Sequence, residues 1–548
     1  MKSFLDSILF TLRVNRASQH HLEIARDFLP TISSFARQEL YPLNKVGDRH
    51  GCIRRDNERV STPPGFKEAY QIYKENGWHG ISFPSEYNGI DLPNSLNIIK
   101  SEILATANWS WSMYPGLGLG AANTIIKHGS SYLKDIYLPK LITGEHLGTM
   151  CLTEPQCGSD LSLVNTRATP LKDGTYSING TKIFISCGNH DFTENIIHCV
   201  LARLDNAPLG LKGISLFLVP KYKNGNELFN NVNTTRLENK MGCHGSSTCE
   251  LVFEDARGYL VGKENMGINN MFTFINTSRI GVALQGVSAS EMTHQLALDY
   301  AENRRAMRSL DKTKQELEFP ADRIIVHPDV KNMVNTIQCF AEGGRSMLYE
   351  CALLSDIQSE ELEFLTPILK GFLSERGIES TQLGIQVFGG HGYIFENGME
   401  QLARDTRIAS IYEGTTIQAL DLLARKILLQ KMKPLDAFCK KTRYELCKHP
   451  LDVYTIELFR LINEWQLFTF KFARKLNKNP RSNGRYEVIG RIAVDYLLYS
   501  GYIVMGLHML RLGRMDSTKM QLVDHYYTYL LPRTRSHISV MRRNGFTT

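Results

Sequence analysis

The chain has 548 residues, yet none of its 11 cysteines forms a CxxC pair. That excludes zinc ribbons, a thioredoxin-type redox motif and a paired disulfide framework. Scattered thiols in odd number read as reduced cysteines of a cytoplasmic protein. No GxSxG nucleophile elbow occurs, and the 16 histidines show no metal-type clustering, so no metal site is expected. Internal repeats and low-complexity tracts are missing too. Uninterrupted apolar runs are scarce. The longest uncharged stretch, 103–126, is broken by Asn108, Pro115, three glycines and Asn123. The more apolar run from Tyr496 to Leu510 covers only fifteen residues. Both read as buried interior, with no transmembrane segment. Residues 1–15 lack a small-residue cleavage site and carry Asp6 within their apolar run, so they read as a structural helix.

What is present is a globular composition, 43% hydrophobic and 22% charged, in a chain long enough for three or four domains. The net charge of +7 is unevenly spread. Residues 431–548 hold 21 Lys/Arg against 9 Asp/Glu, a net of +12, which leaves −5 for the rest. Such an appendage either faces an anionic partner, nucleic acid included, or lays its basic side against the acidic body.

Texture divides the chain into four parts. Residues 1–146 show apolar residues at three- and four-residue spacing, with Pro30 expected to kink or divide the stretch Leu22–Glu39. Residues 147–258 contain short β-branched and aromatic runs, at 176–178, 183–186, 196–202, 214–219 and 249–253. Asn179-Gly180 predicts a hairpin turn between the first two, with further turns at Asp173-Gly174 and Asn224-Gly225. Residues 265–430 return to long helices suited to a four-helix bundle (269–303, 328–355, 361–388, 416–429), with a polar linker at 305–325. Residues 431–548 add further helices around a loop at 477–484.

Four segments could carry chemistry. Thr153-Glu154-Pro155-Gln156-Cys157-Gly158-Ser159-Asp160 offers hydroxyls and backbone N–H groups to a polar ligand, or is an ordinary turn. In Lys182–Ser186, alternation puts Phe184 and Ser186 on one strand face, an aromatic beside a hydroxyl. That pair suits a flat ring system or a core Phe with a bonded Ser. Gln386-Val387-Phe388-Gly389-Gly390-His391-Gly392 is Gly-rich at a helix end without the GxGxxG fingerprint. It reads as a helix C-cap or as a close backbone approach to a ligand. In Ile411–Thr416 a lone carboxylate, Glu413, sits among Ile, Tyr and Gly. It is either a general base for a carbon acid or an acidic helix-start residue.

Together and in this order, these segments resemble the acyl-CoA dehydrogenase family, matching its TEPxAGSD, K-[WF]-I-[ST], QxxGG and YEGT segments. Residues 42–49, 62–66 and 210–217 resemble its large-subunit branch, which has an added C-terminal helical domain. The resemblance implies a mainly α fold with a central β domain. Its parts would be an N-terminal helical domain (1–146), a barrel-like middle domain (147–258), a four-helix bundle (265–430) and a C-terminal helical domain (431–548).

The resemblance also implies FAD, an acyl-CoA substrate, a homodimer and an electron-transferring flavoprotein as acceptor. Glu413 would be the α-proton base. Thr153, Phe184, Ser186, Arg304, Gln386, Gly390 and Thr415 would contact FAD, with Arg304, Gln386 and Gly390 reaching the neighbouring subunit's. Ser159, Arg279 and Gly414 would hold the substrate. A DNA-associated relative of the alkylation-response type is the alternative that the basic C-terminal part suggests. The sequence departs from the family at Cys157, Asn276 and His244. It also has one residue fewer after Thr416, which would rotate the next helix by about 100°.

Overall fold

In a computed structural model, the described residues are 2–55, 59–223, 228–414, 417–478 and 484–546. They form two compact units. One comprises Thr31–Gly281, the other Met1–Pro30 with Val282–Thr548, and the helix Gly267–Asn303 passes from one to the other.

The Thr31–Gly281 unit is built on a seven-stranded sheet, running Val232–Leu237, Thr248–Leu260, Tyr176–Ser186, Arg167–Pro170, Asn195–Leu204, His146–Cys151. The remaining strand, Ile214–Pro220, pairs with both Thr248–Leu260 and Asn195–Leu204, which closes five strands into a ring. All ten residues of Asn195–Leu204 are buried, because both faces are covered. Ile197, Cys199 and Leu201 pack toward helix residues such as Leu138 and Phe274, whereas Val200 and Ala202 point into the barrel with Ile178 and Phe253.

Two sequence expectations change here. Asn179-Gly180 is not a turn: Tyr176–Ser186 is one eleven-residue strand. Asn179 pairs with Arg167 and Gly180 with Phe253. The Asn179 carboxamide exchanges hydrogen bonds with the backbone N–H and carboxylate of Asp255, where the partner strand bulges. A Cβ at Gly180 would lie 2.5 Å from Thr166 Oγ1, so close strand approach explains that glycine. Pro30 lies within the helix Gln19–Phe35 without dividing it. The expected turn at Asp173-Gly174 does form, with Gly174 at φ +80°, and Asn224-Gly225 lies outside the described residues.

In the other unit, Gly267–Asn303, Pro328–Asp356 and Glu361–Phe388 are the long helices of the bundle. From Val282 onward, the first runs parallel to Glu361–Phe388 in close register. Gly286 meets Leu373, Ser290 Oγ lies 2.9 Å from Ser380 Oγ, and Tyr300 stacks on Phe388 at 4.2 Å. A Cβ at Gly286 would stand 2.2 Å from the Leu373 carbonyl oxygen, so only glycine permits this approach. The expected helix after residue 416 appears as Ile417–Leu420 followed by the π-helical stretch Asp421–Leu428.

C-terminal helices pack on the bundle. Gly484–Met515 is 32 residues long, well beyond its apolar run, and Tyr486–Met515 could cross a membrane by length and composition. It is largely buried within the unit, with Leu497 against Gly371 and Gly501 against Phe372. Four basic side chains of this region meet bundle carboxylates. Lys441 pairs with Glu361 at 2.8 Å, Arg511 with Glu350 at 3.2 Å, Lys519 with Glu342 at 2.7 Å and Arg533 with Glu379 at 2.7 Å.

Candidate active site

In the Thr31–Gly281 unit the first two motifs come together. The strand His146–Cys151 ends in the Thr153–Asp160 loop, and the Thr153 carbonyl accepts the Ile183 N–H at 2.9 Å. One residue on, the buried Glu154 carboxylate takes the Lys182 ammonium at 2.7 Å. It also takes the Asn165 N–H at 2.7 Å and the Thr166 hydroxyl at 2.5 Å. Burial opposes ionisation of Glu154, but the Lys182 charge and these donors hold its carboxyl well below the usual range.

Lys182 is buried, whereas Phe184 is 59% exposed. Simple alternation would put both on one face. A β-bulge separates them: Lys182 pairs with Leu251 and Ile185 with Cys249, leaving Ile183 and Phe184 opposite Glu250 alone. Phe184 adopts φ +57°, the left-handed region that costs a non-glycine residue. The fold thus accepts strain to hold an aromatic ring in the open. Ser186, half-buried, follows the buried Ile185. Ser159 is exposed within that loop. Arg279 is buried, its guanidinium 5.8 Å from the Phe272 ring centre.

In the other unit the remaining motifs form two groups. Arg304, Gln386 and Gly390 are exposed at one end of the parallel helix pair. The Tyr300–Phe388 stack and a 2.9 Å bond between Tyr300 Oη and His391 Nδ1 hold that end. Gly389 caps the helix at φ +58°, and a Cβ at Gly389 or Gly390 would meet nothing within 4 Å.

The second group surrounds Glu413, half-buried at φ +54° and followed by Gly414 at φ +94°. Tyr412 Oη donates to Gln285 Oε1 at 2.6 Å, and Gln285 Nε2 donates to the Asp405 carbonyl at 3.0 Å. Lys370 Nζ donates to the Gly414 carbonyl at 2.6 Å, and Gln418 Nε2 to the Glu413 carbonyl at 3.4 Å. Glu413 lies ahead of the helix that begins at Ile417, in a strained loop held from two sides. Thr415 lies outside the described residues.

Lys370 escaped the sequence reading. Its signal was a lone cation in the otherwise apolar run Phe364–Leu373, where it is 1% exposed. One further cluster looks catalytic and is not. Ser346 Oγ lies 2.8 Å from His508 Nδ1, and His508 Nε2 lies 3.0 Å from Glu350. Ser346 is fully buried, and Asn15 Nδ2 donates to its Oγ at 3.2 Å, so no substrate reaches this row. Among the described residues, no three His, Cys, Asp or Glu side chains form a metal site.

Comparison with known proteins identifies the family. Models of the acyl-CoA dehydrogenase N-terminal, middle and C-terminal domains match residues 23–145, 149–256 and 265–428. The chain is 43% identical to 3-methylmercaptopropionyl-CoA dehydrogenase of Ruegeria pomeroyi over 427 residues, 75% of this chain and 72% of that one. It is 34% identical to a butyryl-CoA dehydrogenase of Syntrophomonas wolfei over 438 residues, 74% of this chain and 71% of that one. The fold is similar to that of an acyl-CoA dehydrogenase from Bacillus anthracis complexed with FAD, with TM-score 0.75 and 23% identity. That likeness covers 97% of this chain and 88% of the other, so it takes in the C-terminal helices. The chain belongs to the acyl-CoA dehydrogenase family of FAD-binding oxidoreductases.

Proposed function

We propose that this protein oxidises an acyl-CoA to the trans-2-enoyl-CoA, with Glu413 as the base. The observation that carries the reading is the Glu413 loop, where a carboxylate is kept in a left-handed conformation by polar ties on both sides. Backbone strain of this kind concentrates at reactive sites.

The residues present fit FAD. An exposed aromatic and a neighbouring hydroxyl suit a flat ring (Phe184, Ser186), Thr153 adds a polar edge, and Gly389–Gly390 offer open backbone. When bound, FAD accepts the hydride that leaves the β-carbon. The protein's own groups do the rest. The Glu413 carboxylate takes the α-proton, and the C–H electron pair becomes the new double bond. The Glu413 N–H donates to the thioester oxygen and stabilises the charge that develops there. Ser159 and Arg279 bind the CoA portion, and Gly414 lets the backbone approach the thioester.

Arg304, Gln386 and Gly390 act on the flavin of a second copy in a homodimer. Gln386 follows Lys370 by sixteen residues on one helix, about 24 Å along its axis, so the two groups on this chain serve different sites. An electron-transferring flavoprotein is the proposed acceptor. A short acyl group is the proposed substrate, 3-(methylthio)propanoyl first, because a relative sharing 43% identity is named for it.

The test is a visible spectrum before and after anaerobic addition of acyl-CoAs from short to long. The parent should be yellow and bleach. Glu413→Gln should keep its colour and bleach about 10²–10⁴-fold more slowly. Bleaching of that variant at the parent rate would remove Glu413 from the reaction.

A further inference from the structure

Lys370 sits where a lysine is costly. Its neighbours along the helix Glu361–Phe388 are Ile368, Leu369, Phe372 and Leu373, each 2% exposed or less. A methionine would fill the same space without the desolvation cost of an ammonium group. The ammonium donates to the Gly414 carbonyl at 2.6 Å. That carbonyl follows two consecutive positive-φ residues, Glu413 at +54° and Gly414 at +94°. Glu413 pays strain for this conformation, so something outside the loop must hold it. The neutral ties reach Tyr412 through Gln285 and the Glu413 carbonyl through Gln418, the latter at a long 3.4 Å. Lys370 supplies a charged tie, and charge-assisted hydrogen bonds are roughly twice as strong as neutral ones.

We propose that Lys370 is a positioning residue for Glu413. By holding the Gly414 carbonyl, it fixes the positive-φ turn on the C-terminal side of Glu413 and so restrains where the Glu413 backbone and carboxylate stand. This inference rests on Glu413 being the base. The two are separable, because Glu413→Gln tests the base while Lys370 variants leave that carboxylate in place.

The experiment uses the full chain. Lys370→Met removes the donor at nearly constant volume. Its kcat should fall about 100-fold with little change in KM, as expected when a base is displaced rather than substrate binding lost. Hydrogen–deuterium exchange over residues 408–420 should quicken in the variant, with or without acyl-CoA, and stay unchanged in the barrel strands. Lys370→Arg, which restores a cationic donor, should recover about ten-fold of the lost kcat. A Lys370→Met protein with parent kcat and parent exchange over 408–420 would overturn the proposal. So would equal kcat values for Lys370→Met and Lys370→Arg. Should Lys370→Met be insoluble, Lys370→Gln serves, since it keeps a weaker donor. A loss of about ten-fold in kcat at constant KM supports the proposal, and parent kcat overturns it.

Discussion

Two loops, one in each unit, are each anchored by a buried lysine, and the anchors differ in kind. Lys182 meets a full carboxylate, and Glu154 is further saturated by Gln156, Asn165 and Thr166. Lys370 meets a carbonyl dipole beside two positive-φ residues. The first anchor welds a loop to the sheet and leaves an exposed aromatic on the same strand. The second restrains the loop that carries Glu413, the proposed base. One anchor is an ion pair between side chains; the other ties a loop through its backbone carbonyl.

The Lys182 anchor depends most on Glu154. Glu154→Gln leaves Lys182 buried without its counter-charge and should cost about 3–5 kcal/mol in denaturant unfolding. Glu154→Leu combined with Lys182→Met should cost less than either change alone, since an apolar pair needs no compensation. If the double variant is the least stable of the three, the weld is not electrostatic.

Acid sharpens the same contrast. The folded-state pKa of Glu154 is depressed, so its contribution is complete above the unfolded carboxylate value of 4.5 and is lost as pH falls toward about 2. Stability measured across that window should drop more steeply in the parent than in Glu154→Gln. Equal slopes would mean that other carboxylates dominate.

Phe184 separates strain from ligand contact. Phe184→Gly relieves the left-handed backbone and gives up little burial, so stability should rise by about 1 kcal/mol. Flavin retained through gel filtration should fall. A variant that loses stability instead would show the ring to be packing rather than waiting for a ligand. The smallest effect belongs to an exposed pair: Arg236→Ala, which loses contacts to Glu238 and Glu250, should change stability by about 0.5 kcal/mol or less.

Local pattern carried much of this architecture. Glu361–Phe388 follows from its apolar spacing and its glycine cap, and the buried strands follow from their β-branched runs. What stayed hidden depends on partners far away in sequence. The Phe184 bulge is set by Glu250 on another strand, and the Asn179-Gly180 turn signal is overridden by Asp255 and Thr166. Lys370 became meaningful only once Gly414 was seen beside it. The surplus of basic residues was plain from composition, but not that four of them face Glu342, Glu350, Glu361 and Glu379.

The first residues of the chain belong with its last. Asn15 donates to Ser346, 331 positions later, and Phe4 lies against the Arg345 guanidinium. Ser346 in turn contacts His508. During synthesis at about 5–20 residues per second, Asn15 waits roughly 17–66 s for Ser346. The middle of the protein can fold before either end is settled. The unit that holds Glu413 is therefore complete only once the segment around His508 has been made.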